Sequence, residues 1–192
     1  KIGNAVWMAE NLNYATRNSV VANNAKQYGR LYSIEEAKEA CPVGWYLPTD
    51  SEWKALEKQL GVPFNDLNLE STPRGEETAG AMKNEMGWKS ESGVKSPTNE
   101  SGFSALPAGF YLTEEKQLVG LGILACFWTS TQENDAIDKQ LFSTVDYKNK
   151  AYSWMRILDS RHNDIARHYF SGKDNYYSVR CVKNKAFENR IQ

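Results

Sequence analysis

The stretch Cys41-Pro-Val-Gly-Trp-Tyr-Leu-Pro-Thr-Asp-Ser-Glu-Trp-Lys-Ala-Leu56 constrains the fold most, because it holds a helix stop, a rigid turn and a helix start. Upstream, Ser33 followed by Glu36 predicts a capping box, and Ile34, Ala37 and Cys41 recur at helical spacing, so residues 33 to 41 read as a short amphipathic helix. Pro42 and Gly44 end it. Thr49 followed by Glu52 predicts a second capping box, after which Trp53, Leu56 and Leu60 form one apolar stripe until Gly61 closes the helix. Between the helices, Trp45 and Leu47 must point inward or at a partner, with Pro48 fixing the approach to the second helix. The stretch reads as a corner that anchors a core.

A chain of 192 residues is within the size of one domain, expected over residues 1–184 with a tail at 185–192. Its net charge of -1 supplies no long-range field and it has no basic run, which argues against nucleic acid as a partner. Six Trp and ten Tyr stand beside many Asn, Ser and Gly, a composition suited to recognition by amphipathic rings. No apolar run approaches the roughly 18 residues that span a bilayer. The opening Lys1-Ile-Gly-Asn4 is no signal peptide, and a signal or lipid anchor is expected upstream.

The three cysteines match no metal-ligand spacing, so no metal or cofactor is expected. In an oxidising compartment Cys41 and Cys181 would tie the first helix to the last strand, leaving Cys126 buried between Ala125 and Phe127; the odd count leaves other pairings open. Cys181 shares a strand face with Tyr177 and Val179, which favours burial. His162 and His168 have no nucleophile elbow to serve, and Asn163-Asp164 between them reads as a hairpin turn. Val119-Gly-Leu-Gly-Ile-Leu124 lacks a phosphate cradle's third glycine and reads as a loop entering a core strand.

A third, weaker helix is expected where Ala79, Met82 and Met86 share a face, with Gly87 ending it. From residue 88 onward short strands separated by Gly, Asn, Asp and Ser predict antiparallel pairing. Residues 98–110 begin as a turn and become an apolar strand broken by Pro107, which places it at a sheet edge or crossing between sheets. Further strands are predicted at 126–131, 141–145, 152–158, 165–170 and 177–182. Helices in the first half and strands in the second make the fold class α+β.

The chain resembles the Fibrobacter succinogenes major paralogous domain through Val6-Trp-Met-Ala-Glu-Asn-Leu-Asn-Tyr14, Tyr28-Gly-Arg-Leu-Tyr32, Cys41 to Thr49 with Glu52 and Trp53, Asn99 to Pro107, Phe127-Trp128 and Ser178-Val-Arg-Cys-Val182. The resemblance implies a C-type-lectin-like fold: two to three helices in the N-terminal half and short antiparallel strands in two small sheets, one joining the chain ends. It also implies export to a bacterial surface, often behind a lipoprotein signal. The calcium-lectin triplets Glu-Pro-Asn, Gln-Pro-Asp and Trp-Asn-Asp are absent, which argues against calcium-mediated sugar binding, while the carboxylates of Asp159, Asp164 and Asp174 leave a structural ion such as calcium open. The Leu-Pro-Thr and Glu-Trp signature also resembles the formylglycine-generating enzyme fold, whose chemistry uses thiols, here Cys126 and Cys181. Diversified lectin-like relatives vary positions such as Asn175, Tyr176, Tyr177 and Ser178.

Along 152–157 one strand face carries Tyr152, Trp154 and Arg156 and the other Ser153, Met155 and Ile157, so one face is expected to be wetter. Tyr152 and Phe170 are read as core. Trp154, Arg156, Arg161, His162, Tyr169, Asp174 and Tyr176 are read as a binding surface for a glycan or surface protein. The expectation is a noncatalytic, exported recognition domain at the extracellular or outer-membrane surface. Its rivals are a thiol-dependent oxidoreductase and a structural fimbrial or surface-assembly subunit.

Overall fold

The computed structural model describes residues 1–22, 26–133, 152–171 and 175–185. Helix α1 spans Ile34–Ala40, α2 Asp50–Gln59 and α3 Thr78–Met82. The predicted box of α2 is complete: the Glu52 N–H donates to Thr49 Oγ1 at 3.2 Å and the Thr49 N–H to Glu52 Oε2 at 2.8 Å. At α1 only half forms. Ser33 Oγ accepts the Glu36 N–H at 3.2 Å, but the Glu36 carboxylate accepts the Asn18 N–H at 2.8 Å and so pins the preceding loop. Met86 does not extend α3. It is 75% exposed, because the chain turns extended at Lys83, which bridges to Ala105.

Ten strands follow the order β1 (Val20–Val21), β2 (Arg30–Tyr32), β3 (Trp45–Tyr46), β4 (Phe110–Leu112), β5 (Gln117–Val119), β6 (Leu124–Glu133), β7 (Tyr152–Asp159), β8 (Ile165–Ser171), β9 (Asn175–Ser178) and β10 (Val182–Lys183) among the described residues. The predicted strand 141–145 lies outside them. The mixed α+β class holds, but the sheets differ from the expected two small ones. Eight strands make one sheet, β1-β2-β9-β6-β7-β8 with β4 and β5 joined through β9, and β3 pairs β10 separately. Pairing is antiparallel except where β9 meets β6 in parallel at Phe127 and Ser178. Insertion of β9 between β2 and β6 is what fuses the strands into one surface. Two of the four residues open to diversification, Tyr177 and Ser178, are buried there. The linker after β5 turns at Gly120 and Gly122 (φ 74° and 77°), conformations that favour glycine.

Both faces of β6 and β7 are covered. Trp53 and Leu56 of α2 pack with Ala125, Phe127, Leu158 and Ile165, whereas Ile34, Ala37 and Ala40 of α1 pack with Cys126, Trp128 and Met155. Strand alternation sorts the two sets, and neither face is the wet one predicted. On the α2 side Trp7, Trp53, Phe103 and Phe127 interlock with centroids 5.0 to 5.7 Å apart. The buried Arg180 lies over Phe103 at 4.3 Å and donates to Met8 O, Phe103 O and Asn11 Oδ1. It thereby ties the first segment to the last. Cys41 and Cys181 are disulfide-bonded beside it in sequence, and Cys126 is free and buried.

Candidate recognition face

The β7–β8 register sets Trp154 opposite Tyr169 and Arg156 opposite Arg167. Tyr169 meets the Trp154 ring edge-on at 5.1 Å and the Tyr152 ring at 5.9 Å. Beneath them the Arg167 guanidinium lies 3.2 Å from the centroid of Trp154, and its fork donates to both oxygens of Asp50 at 2.9 Å. Arg156 reaches Asp50 at 2.8 Å and also Glu57, which holds Arg74 at 2.6 Å. Lys54 adds an ion pair to Asp50 at 2.8 Å. Three guanidiniums and two carboxylates are thus buried together, each with an opposite charge within reach, the condition under which buried ions are tolerated.

The electrostatics follow. Burial pushes the Asp50 carboxyl up, but the Arg167 hydrogen bonds, the Arg156 charge and Lys54 outweigh it and hold the group well below the usual carboxylate range. Burial lowers Arg74, with Glu57 opposing. The network fixes α2 to the hairpin and sets the ring strip on a rigid base.

Trp154 and Arg156 are therefore not open surface: they are 4% and 0% exposed, because α2 supplies both cover and counter-charge. Tyr169 is half-buried. Phe170, expected in the core, is 37% exposed. His168 lies 4.8 Å from the Phe170 ring and 5.9 Å from Tyr169, and its Nε2 is 3.1 Å from Ser71 Oγ. Ring contacts run from Tyr152 through Tyr169 and His168 to Phe170 at the outer end of β7 and β8, but they cross the sheet: Tyr169 lies on the Trp154 side, whereas Phe170, the next residue, lies on the α1 side, 6.4 Å from Tyr177. Arg161 and His162 are exposed at the hairpin turn, at the other end of these strands. There Arg161 Nε donates to Asp159 Oδ1 at 2.9 Å. Tyr176 is on β9, half-buried and 6.0 Å from Tyr111; burial raises its pKa, with Glu36 and Glu35 adding to the effect. Asp174 lies outside the described residues. Among the described residues the predicted ones occupy three places: Trp154, Arg156 and Tyr169 together, Arg161 and His162 at the hairpin turn, and Tyr176 on β9.

Asp50, Glu57, Arg74 and Arg167 were missed. A signal existed: Asp50, Trp53 and Glu57 are spaced three and four apart, which puts two acids on the buried stripe of α2 and calls for cations opposite. Asp159 spends its carboxylate on Arg161, and among the described residues no three His, Cys, Asp or Glu side chains group as metal ligands. Burial pushes the Cys126 thiol far up, with the Asp159 charge adding to it.

Fold and site define a mixed α+β protein, stapled by one disulfide, with a ring cluster on a strand pair locked to a helix by buried ions. Across residues 1–183 the chain matches the Fibrobacter succinogenes major domain, and it belongs to that family. No curated protein and no solved structure matches it.

Proposed function

We propose that this is a noncatalytic, exported recognition domain with a C-type-lectin-like fold, binding a glycan or a protein at the bacterial surface through the C-terminal strands. The carrying observation is the run of rings Tyr152, Tyr169, His168 and exposed Phe170 across the end of the β7–β8 pair, of which Tyr169 is backed by Trp154 and the ion network. Rings held in one geometry lose little freedom on binding, and their combination of apolar face and polar edge suits both sugars and proteins. The disulfide supports an oxidising compartment. Thiol catalysis is disfavoured, since a reactive thiolate needs an accessible, electropositive setting, whereas Cys181 is bonded and Cys126 is buried with its thiol pushed up.

The test is a glycan-array and surface-protein screen of the wild type beside Phe170→Ala and Tyr169→Ala, with circular dichroism to verify folding. Binding by the wild type that both folded variants lose is the expected result. Binding unchanged in both variants would refute the ring cluster as the site, and self-association without ligand capture would favour a structural assembly subunit.

A further inference from the structure

Strand β9 turns successive side chains to opposite sides of the sheet: Tyr177 packs on the α1 side against Trp128, and Tyr176 faces the other way. There Tyr28, Tyr111 and Tyr176 pack against the buried Ala22, Leu31 and Ala108. The β4–β9 register sets Tyr111 directly opposite Tyr176, with ring centroids 6.0 Å apart and planes inclined at 54°. All three tyrosines are half-buried. Their hydroxyls have no hydrogen-bond partner among the described residues and are not among the buried polar atoms, so they reach solvent. Tyr32 and Tyr46 differ, since their hydroxyls are spent on Tyr14 O and Glu52. Rings seated by the stem and open at the polar end give contact area at little cost in freedom.

Charge decides what such a face can take. Strand β2 pairs β9 up to Tyr32 opposite Tyr177, so α1 starts beside Tyr176 and brings Glu35 and Glu36 in its first turn. These two acids are the charged side chains that act on the Tyr176 phenol. Neither has an ion pair among the described residues: Glu35 is exposed, and Glu36 spends Oε1 on the Asn18 N–H at 2.8 Å while its Oε2 has no partner. The neighbouring cations are placed elsewhere. Arg30 gives its guanidinium to Ser19 Oγ and O, both at 2.8 Å, Lys26 is exposed on the Tyr28 side, and Lys116 shares the β4–β5 turn with Glu114 and Glu115. Ring faces beside carboxylates that no cation answers attract positive charge, because the ring quadrupole and the acid charge act with the same sign. A carboxylate or phosphate would meet repulsion from both.

We infer that the Tyr111–Tyr176 face docks a protein partner through an arginine or lysine side chain, with the cation against the two rings and Glu35 as its counter-charge. The three outward hydroxyls are spread over η-turn residue Tyr28 and strands β4 and β9, so they serve the main chain around that side chain, which a small free cation would leave unused. This surface is separate from the rings of Tyr169 and Phe170 and goes beyond the function proposed for them.

The test titrates the chain, labelled in its amides and tyrosine rings for NMR, with the blocked peptide Ala-Arg-Ala-Arg-Ala, its lysine and glutamate counterparts, and methyl glucoside. The arginine peptide is expected to shift the Tyr111 and Tyr176 rings and the Glu35 amide and to saturate in the millimolar range, with the lysine peptide weaker and the other two silent. Tyr176→Leu keeps an apolar stem on the sheet and should weaken binding about threefold, whereas a merely structural tyrosine would leave it unchanged. Glu35→Gln, an exposed change whose folding is not at risk, should weaken binding about twofold and flatten its dependence on salt. Silent Tyr111 and Tyr176 rings, equal shifts with the glutamate peptide or the glucoside, or wild-type affinity in Glu35→Gln would overturn the inference. Shifts confined to Tyr169 and Phe170 would refute this face while upholding the other rings; shifts confined to Tyr111 and Tyr176 would do the reverse.

Discussion

Arg156 and Arg167 face each other across an antiparallel ladder, and both are buried, an arrangement that only shared carboxylates can sustain. Asp50 holds Arg156, Arg167 and Lys54, but Glu57 is the more deeply buried acid and holds both Arg74 and Arg156. Glu57→Leu is therefore expected to lower the unfolding free energy by about 3 to 5 kcal/mol in urea melts. Arg156→Met should cost less, because Glu57 keeps Arg74 and Asp50 keeps Arg167; the reverse ranking would show that the network does not act as a shared unit. Asp50 adds a pH dependence. Its folded pKa lies below its unfolded value, so the unfolded chain takes the proton first, and the stabilisation is whole above about pH 4 and declines as pH falls toward the folded value. Urea midpoints should drop below about pH 4 in the wild type, with a shallower drop in Asp50→Asn. The sequence displayed Trp154 and Arg156 as residue types common at interfaces, but their cover comes from a helix about a hundred residues earlier, which strand periodicity cannot report.

The helices show where local chemistry is sufficient. Thr49 and Glu52 satisfy one another's backbone donors within a single turn, so the start of α2 was legible from four residues. Thr49→Ala should destabilise the protein by about 1 kcal/mol, read as a lower urea midpoint; no change would mean that packing of Trp53 and Leu56 alone holds the helix start. The same motif at α1 was half misread, because Asn18, outside the helix, takes the Glu36 carboxylate. Likewise the periodicity of Ala79, Met82 and Met86 continued past the true end of α3, where Lys83 leaves the helix for the hairpin turn. Strands β6, β7 and β8 were placed well by their apolar runs and turn residues, whereas the predicted strand 177–182 breaks at residues 179–181 into β9 and β10, which belong to separate sheets. The continuous sheet was not legible, since the β9–β6 contact joins residues far apart in sequence.

The molecule is closed by two ties between its beginning and end. The Cys41–Cys181 bond spans 140 residues, and chain entropy assigns such a loop about 5 kcal/mol. Arg180 ties neighbouring segments through Met8, Asn11 and Phe103 without any covalent link. These contacts should keep the native arrangement when the disulfide is absent, so removing it acts mainly on the unfolded chain. A Cys41→Ala, Cys181→Ala double variant is expected to remain folded by circular dichroism, to lose up to about 5 kcal/mol of unfolding free energy, and to show a steeper urea dependence as the released chain exposes more surface. Any ligand bound by the wild type should bind this folded variant equally well, since Trp154 and the Tyr169 ring against it are held by α2 and the buried ions rather than by the disulfide. Lost binding in a variant that still melts cooperatively would instead mean that the tie between the chain ends sets the geometry of the recognition face, and the ion network would no longer suffice as its support.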